Sequence, residues 1–405
     1  MPVDVWALAK DLARGGWRLA RGGWRLATAW RRSGQEDRAE IEHTYKNELA
    51  CLQQELEEAD TEEEKTRIKR EMKAVRQEQR SFYRARRDLL LSKALVQRMT
   101  PKGTIISGAP ELPASERETL RIAMTLLGQL EPAISFADHF LRGNALYAAG
   151  EYSKALKEYD AALQLRPDDP DTLNNRGITL DELKRHEEAL ADHNRSLELR
   201  PDHPDVLNNR GAALHNLKRY QEALADYNRS LELRPDHPAT LRSRGFTLAI
   251  LGRYEEGLAD LNRSLELRPD DPDTLANRGY VLDDLRRYEE ALAAYNRALQ
   301  LRPDDPATLN NRGKILSRLQ RYEEALADFN RSLQLRPDDA DSMYNVACLY
   351  SLWGRYDESL QWLEKAIAGD ASNRHDAAMD PDFAGLWADP QFGPRFQKLI
   401  SEGSS

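Results

Sequence analysis

Few side chains in this sequence have the types and the spacing that catalysis requires. No histidine pair shows metal-ligand spacing with an acid, and no serine stands in a nucleophile elbow. The glycine pairs near the N-terminus do not follow a strand, which argues against a dinucleotide site. Cys51 and Cys348 lie in very different segments, so neither a disulfide framework nor a metal site is indicated. We therefore predict no catalytic site, no metal and no cofactor.

The charge and hydropathy of the chain limit its partners. The net charge is −9 and 31% of the residues are charged, so bulk electrostatics does not favour binding to nucleic acid. No run of about 18 apolar residues is present, and a transmembrane helix is not predicted. We expect a reducing compartment and a cytoplasmic chain that is either soluble or peripheral to a membrane.

One phrase of 34 residues organises the chain, because it recurs five times between residues 168 and 337 without insertion or deletion. In one copy Leu207, Gly211 and Leu214 fall at i, i+4 and i+7, on one face of a helix. Diverged copies at 136–167 and 340–371 flank the five. Each copy closes on a proline, which cannot continue a helix; these are Pro167, Pro201, Pro235, Pro269, Pro303 and Pro337.

This period, with its leucine, glycine, tyrosine, alanine and proline positions, resembles the tetratricopeptide-repeat (TPR) family. The resemblance covers about seven repeats, residues 134–371, and implies an all-α superhelical solenoid in which each repeat is a pair of helices. Residues 372–405 resemble the short tail that closes such arrays in bacterial members. The tail residues expected to cover the last hydrophobic face are Phe383, Leu386, Trp387, Phe392 and Phe396.

The resemblance also implies where a ligand would bind, since the first helices of such arrays line a concave groove. The sixth position of most repeats is asparagine, whose amide can donate to and accept from a peptide backbone. Alternatively, these asparagines bond to neighbouring backbone and stabilise their own repeats. The positions that follow vary, which predicts a mixed groove with an apolar patch near its centre. The predicted contacts are Asn175, Asn209, Asn277, Asn311, Asn345, Phe246, Ile250, Tyr280, Arg242, Lys314 and Arg318.

Two further patterns qualify this prediction. Ile178, Ala212 and Phe246 stand where the chaperone-binding members of the family need an asparagine, so we do not expect binding to a chaperone C-terminus. A recurring arginine on the first helix and aspartate on the second predict an ion pair in each repeat. The arginines are Arg176, Arg210, Arg244, Arg278 and Arg312, and the aspartates are Asp192, Asp226, Asp260 and Asp328; the fifth repeat has Ala294 instead.

Residues 1–35 contain a tandem heptad and seven basic against two acidic residues, which gives a charge of +5. On a helix, a basic face would lie opposite a tryptophan and leucine face, as in helices that lie in a membrane interface. Alternatively, the segment docks on the protein itself, targets the chain or associates with a second copy. The predicted contacts with an anionic membrane surface are Trp6, Trp17, Trp24, Trp30, Arg14, Arg18, Arg21 and Arg25.

Residues 36–99 are predicted to form a helical hairpin or coiled coil. Two apolar seams of 4,3 spacing are out of phase, and the capping box Thr61–Glu64 lies between them. The module either supports self-association through residues 1–98 or only spaces the N-terminus from the repeats. Residues 100–114 are a predicted linker, and 115–133 a helix capped by Ser115 that packs on the first repeat.

Together these patterns predict a non-enzymatic adaptor that binds a protein or peptide in its repeat groove, with a membrane tether at its N-terminus. Two other functions remain open at this stage. The N-terminal helix could perturb membranes on oligomerisation, with the repeats as a sensor, or the chain could be a purely soluble scaffold.

Overall fold

The computed structural model describes residues 35–59, 61–77, 112, 114–130 and 135–401. Within these ranges the regular secondary structure is helical, which confirms the all-α class. Helix α1 spans Gln35–Glu58, α2 covers residues 62–77 and α3 spans Ala114–Leu130. The chain divides into two compact units, Met1–Ala213 and Leu214–Ser405.

Seven pairs of helices follow α3, one pair for each predicted repeat, and we number the repeats 1 to 7. The first helices are α4 (Phe136–Ala148), α6 (Pro170–Glu182), α8 (Pro204–Asn216), α10 (Pro238–Ile250), α12 (Pro272–Asp284), α14 (Pro306–Arg318) and α16 (Ala340–Leu352). The second helices are α5 (Tyr152–Leu165), α7 (His186–Leu199), α9 (Tyr220–Leu233), α11 (Tyr254–Leu267), α13 (Tyr288–Leu301), α15 (Tyr322–Leu335) and α17 (Tyr356–Gly369).

The repeated sequence sets both ends of the first helices. Asp169 and Asp305 accept hydrogen bonds from the backbone N–H groups of Thr172 and Thr308, at 2.8 and 2.9 Å, and a proline follows each cap. A side chain that satisfies a free N–H, and a proline that needs none, favour a helix start. The turn to the second helix requires a positive φ, as at Gly252 (φ 76°).

Small residues allow the two helices of a repeat to approach closely. A Cβ added to Gly279 would lie 2.7 Å from the ring of Tyr295, which is 1% exposed. In repeat 2 the equivalent ring is His193, which is fully buried against Gly177. His193 therefore takes the place of a core tyrosine, as the sequence predicts.

In the first unit, the residues before the repeats share a hydrophobic core with repeat 1. Leu52 of α1 and Met72 of α2 are buried in one cluster with Leu120 of α3 and Leu146 of α4. One half of the predicted capping box is present, because the backbone N–H of Glu64 donates to Thr61 Oγ1 at 3.2 Å, and the Thr61 hydroxyl is 3.2 Å from Glu64 Oε2. This packing is internal to one chain, and self-association stays a prediction.

One predicted cap is wrong. Helix α3 begins at Ala114 rather than after Ser115, and the carbonyl of Ser115 accepts a hydrogen bond from Thr119 Oγ1 at 2.8 Å. Ser115 thus lies inside the first turn. Its place in the sequence, three residues before Glu118, resembles a capping box, but the helix already begins at the residue before it, Ala114.

The C-terminal tail packs on repeat 7 in the second unit. It forms α18 (Asn373–Met379), a 3-10 turn (Pro381–Phe383), α19 (Ala384–Ala388) and α20 (Gly393–Ser401). Phe383, Leu386 and Phe396 are at most 1% exposed, and they share a core with Leu363 of α17. Trp387 is 42% exposed, and its ring makes a T-shaped contact with the Phe396 ring. The prediction that Trp387 covers the last hydrophobic face is therefore wrong.

Candidate functional site

An aromatic row crosses the first helices of the second unit. Phe246 on α10 and Tyr280 on α12 occupy the same position of successive repeats, and their ring centroids lie 5.7 Å apart at a T-shaped angle. The His215 ring lies 5.6 Å from Phe246 on its other side. We call these three residues the aromatic row. Phe246 and Tyr280 are half-buried, so each offers part of its ring to a ligand.

His215 was not predicted as part of the site, although it directly precedes the turn of its repeat. Its Nδ1 lies 2.8 Å from Thr247 Oγ1, and Thr247 in turn donates to the carbonyl of Ser243. Thr247 therefore accepts from an Nδ1–H of His215. Burial lowers the pKa of His215, which keeps the ring neutral beside Phe246.

Charged residues lie on α12 and α14. We call Asp283, Asp284, Lys314 and Arg318 the charged end of the surface. Arg318 Nε lies 3.6 Å from Asp283 Oδ1, and Arg318 Nη1 donates to the Tyr288 hydroxyl at 3.4 Å. Burial and the charge of Asp283 raise the pKa of Asp284, while Lys314 and Arg318 oppose that shift. Ile250, at the end of α10, is 38% exposed. The surface therefore passes from apolar residues on α10 to charges of both signs on α14.

The predicted asparagines have two different environments. Asn175 and Asn209 are fully buried, and their Nδ2 groups donate to Asn144 and Asn174 at 2.9 Å. Asn345 donates to Asn310 at 3.1 Å in the same manner. These three amides join successive repeats, so their predicted role as open groove contacts is not supported by their positions.

Asn277 and Asn311 differ from those three. Both are half-buried, and within the described residues no hydrogen bond involves either side-chain amide. The reason is the fifth position of the preceding repeat. That position is Asn174 before Asn209 and Asn310 before Asn345, but it is Arg242 before Asn277 and Ala276 before Asn311. Asn277 and Asn311 therefore have no amide acceptor in the preceding repeat. This difference can be read directly from the sequence.

Arg242 is not an open groove cation. It is 8% exposed, and its Nη1 donates to Asp271 Oδ2 at 3.1 Å, with Asp273 at 3.8 Å. Asp271 also caps α12 by accepting from the backbone N–H of Asp273. The sequence prediction for Arg242 is therefore corrected to a contact between repeats 4 and 5.

The tail residues cover the equivalent surface of repeat 7. The Tyr344 hydroxyl donates to Asp380 Oδ2 at 3.0 Å, and the Cys348 thiol lies 3.7 Å from the same oxygen. Cys348, Asp380 and Asp382 place their potential metal-ligand atoms within 4.8 Å of one another. Burial raises the pKa of Cys348, so the thiol stays protonated and donates to Asp380. This hydrogen-bonded arrangement fits a structural contact better than a metal site.

The predicted arginine–aspartate pairs are confirmed in repeats 2, 4 and 6, and in repeat 2 Arg176 contacts Asp192 at 2.7 Å. Arg244 contacts both carboxylate oxygens of Asp260 at 2.6 and 2.8 Å, and Arg312 contacts Asp328 likewise. Arg278, opposite Ala294, instead donates to Asn262 at 2.8 Å, and burial lowers its pKa. In these pairs the aspartates are buried and the arginines are half-buried, and each pair joins the two helices of a repeat.

The predicted membrane contacts Trp6, Trp17, Trp24, Trp30, Arg14, Arg18, Arg21 and Arg25 lie outside the described residues. Among the helices that the structure does describe, none combines the length and the apolar character needed to cross a bilayer.

Sequence-family models agree with the helical repeats. Models described as tetratricopeptide repeat match residues 170–203, 194–225, 210–278 and 304–372. A model described as TPR repeat matches residues 143–183 and 284–320. The chain belongs to the tetratricopeptide-repeat family. Proteins of this family generally act as interaction modules without catalysis, and they bind protein or peptide partners.

Solved structures also resemble this chain. The Cut9–Hcn1 hetero-tetramer of the APC/C matches with a TM-score of 0.56 and 18% identity, over 70% of this chain and 52% of that chain. YrrB, described as a TPR protein with an unusual peptide-binding site, matches at 23% identity and TM-score 0.37, over 46% and 97%. TTC0263, a thermophilic TPR protein of Thermus thermophilus, matches at 25% and 0.41, over 46% and 100%. A search of curated proteins found no match.

Proposed function

We propose that this TPR protein is a non-enzymatic scaffold that holds an extended segment of a partner protein against α10, α12 and α14. The observation that carries the proposal is the pair of open amides, Asn277 and Asn311, next to the aromatic row and the charged end. An asparagine side chain without an internal partner can donate to and accept from a peptide backbone.

The contacts divide into three kinds. Asn277 and Asn311 hold the partner's backbone, and an apolar side chain packs on Phe246, Tyr280 and Ile250. Aromatic surfaces contribute more than their area to such contacts, and they lose little conformational entropy. Lys314 and Arg318, beside Asp283 and Asp284, select the charge of the residue that follows.

Site-specific photo-crosslinking tests this surface. A photo-reactive amino acid at Tyr280 is expected to capture a partner segment, whereas the same group at Glu266, on the exposed side of α11, serves as the matched control. Crosslinks are then mapped by mass spectrometry. Equal capture at both positions, or capture at Glu266 alone, would exclude α10, α12 and α14 as the binding surface.

Peptide selection provides the quantitative test. Peptides from a displayed random library that bind the full chain are expected to bind Tyr280→Ala and Asn277→Ala at least about fivefold more weakly, since a central contact contributes more than about 1 kcal/mol. Asn209→Ala is the comparison variant, because its amide faces Asn174 and not the ligand. The proposal fails if Asn209→Ala weakens binding more than Asn277→Ala does.

We also propose a membrane tether at residues 1–35, which rests on the sequence alone. Anionic vesicles should sediment the full chain, high salt should weaken the association, and glutamine at Arg14, Arg18, Arg21 and Arg25 should abolish it. Dye release would indicate the membrane-perturbing alternative. A full chain that remains in the supernatant at every salt concentration would identify a soluble scaffold. Sedimentation equilibrium tests self-association through residues 1–98.

A further inference from the structure

The C-terminal tail brings the carboxylate of Asp382 to the charged end of the proposed partner surface. Asp382 lies in the 3-10 turn and is half-buried. Burial and the negative charge of Asp380 raise the pKa of Asp382, and the positive charges of Arg318 and Lys314 oppose that rise. Charge effects between exposed groups fade within about 10 Å, so Asp382 lies on the same surface as the two cations of α14.

Asp284 of α12 is a second carboxylate beside these cations. It is close enough to the Tyr280 hydroxyl for a hydrogen bond, which joins it to the aromatic row. As at Asp382, burial and a neighbouring aspartate raise its pKa, and Lys314 and Arg318 oppose the rise. Within the described residues, neither Asp284 nor Asp382 has a cationic group at ion-pair distance. Both carboxylates can therefore accept a further positive partner.

Arg318 is already engaged by α12 and α13. Its Nε lies 3.6 Å from Asp283 Oδ1, and its guanidinium lies 5.6 Å from the centroid of the Tyr288 ring. Asp283 Oδ1 is buried and, among the described residues, accepts no hydrogen bond. Arg318 is therefore the counter-charge of Asp283, and these two charges largely offset each other.

Asp380 keeps its negative charge uncancelled, because the groups that donate to it are neutral. Its Oδ2 accepts from the Tyr344 hydroxyl at 3.0 Å, and its Oδ1 accepts from the backbone N–H of Asp382 at 2.9 Å. Neutral donors satisfy the lone pairs of a carboxylate but leave its charge in place. The charge of Asp380 therefore adds to that of Asp382.

A negative excess remains at this end of the surface. Once the Arg318 pair is set aside, the carboxylates of Asp284, Asp380 and Asp382 remain against the single ammonium group of Lys314. Partly enclosed charges interact more strongly than charges in open water, and complementary charge steers and selects a partner. The surface therefore favours a positively charged residue of the partner over a neutral or acidic one.

We infer that the partner segment carries a lysine or arginine beside the apolar residue that packs on the aromatic row, and that Asp284 and Asp382 contact its cationic group. This inference rests on the proposed function, because it names the charge that the same surface selects. It also gives the tail a second role. Besides covering repeat 7, the tail supplies Asp382 to the binding surface.

Peptides selected from a displayed library by the full chain provide the first test. We expect these peptides to carry a lysine or arginine beside an apolar residue. Replacing that basic residue by glutamine in a synthetic peptide should weaken binding to the unaltered chain about fivefold, since one charge meets two exposed or half-buried carboxylates. Fluorescence anisotropy measures both affinities, and this comparison leaves the fold of the chain untouched.

Variants of the chain provide the second test. Asp284→Asn and Asp382→Asn should each weaken the basic peptide about threefold and leave the glutamine peptide unchanged. Glu182→Gln is the matched control, because Glu182 occupies in repeat 2 the position that Asp284 occupies in repeat 5, and it lies in the first unit. Asp284→Lys should reverse the preference, so that a peptide with glutamate at the same place binds more tightly than the basic peptide.

The outcomes separate this inference from the proposed function. The inference is overturned if the glutamine peptide binds as tightly as the basic one, or if both aspartate variants bind the basic peptide as Glu182→Gln does. Equal weakening of both peptides by the aspartate variants would also overturn it, because it would assign these residues to the fold. Selected peptides that Tyr280→Ala binds undiminished would instead overturn the proposed function itself.

Discussion

Asn209 and Asn311 occupy the same position of the repeat, yet their surroundings differ. Asn209 is fully buried and donates to Asn174 of the preceding repeat, whereas Asn311 is half-buried and the equivalent preceding residue is Ala276. The comparison shows that a repeated residue has no fixed role. The residue one repeat earlier decides whether the amide joins two repeats or stays open for a partner.

The largest expected effect comes from removing the Asn174 amide, which accepts a hydrogen bond from Asn209 and donates one to Asn175. Asn174→Ala leaves the buried amides of Asn175 and Asn209 short of a partner, and we expect the free energy of unfolding to fall by about 2 kcal/mol. Asn311→Ala is the matched control and should change it by less than about 0.5 kcal/mol. Urea unfolding followed by circular dichroism measures both. Equal losses would show that the two environments are equivalent.

Supplying the missing aspartate partner of Arg278 should instead raise the free energy of unfolding. In repeat 5 the Arg278 guanidinium faces Ala294 where other repeats have aspartate. Ala294→Asp is expected to raise the free energy of unfolding by about 1 kcal/mol, because it supplies the bidentate partner that Arg244 finds in Asp260. Ala294→Asn, of similar shape but neutral, is the control. A destabilised Ala294→Asp variant would mean that burying the new carboxylate costs more than the pair gains.

The Asn311 amide can also be given a hydrogen-bond partner in the preceding repeat by substitution. Ala276→Asn places an acceptor before Asn311, as Asn310 does before Asn345, and should draw the Asn311 amide into the array. Selected peptides are then expected to bind about threefold more weakly while stability is retained. Fluorescence anisotropy measures the affinity. Unchanged affinity would remove Asn311 from the proposed contacts.

The smallest expected effect concerns pH. In the unfolded chain the pKa of His215 has its ordinary value of 6.5, and in the folded chain burial lowers that pKa. The unfolded chain therefore binds the proton first, and stability is lost as the pH falls below 6.5. His215→Phe should reduce the loss of melting temperature between neutral and mildly acidic pH by a few degrees at most. An unaltered pH profile would show that His215 is equally basic in both states.

Several features were predictable from the sequence because they depend on local chemistry repeated at a fixed period. The helix pairs follow from caps such as Asp305 and from glycine at the close approach, and His193 as a core residue follows from its alignment with tyrosine. The ion pair of Arg312 with Asp328 follows from their joint recurrence. The start of α3 could not be predicted in the same way, because Ser115 resembles a cap in the sequence but lies inside the first turn of the helix.

The sequence by itself determined the all-α repeat, its period and the positions that face inwards, because a 34-residue unit with one apolar pattern can pack only on its neighbours. Tertiary structure decided which polar side chains remain available. Arg242 donates its hydrogen bond to Asp271, Asn209 donates to Asn174 and Cys348 donates to Asp380. The side chains of Asn277 and Tyr280, by contrast, remain partly exposed. The physical reason is that hydrogen-bond satisfaction is a property of pairs, and each partner comes from another repeat or from the tail.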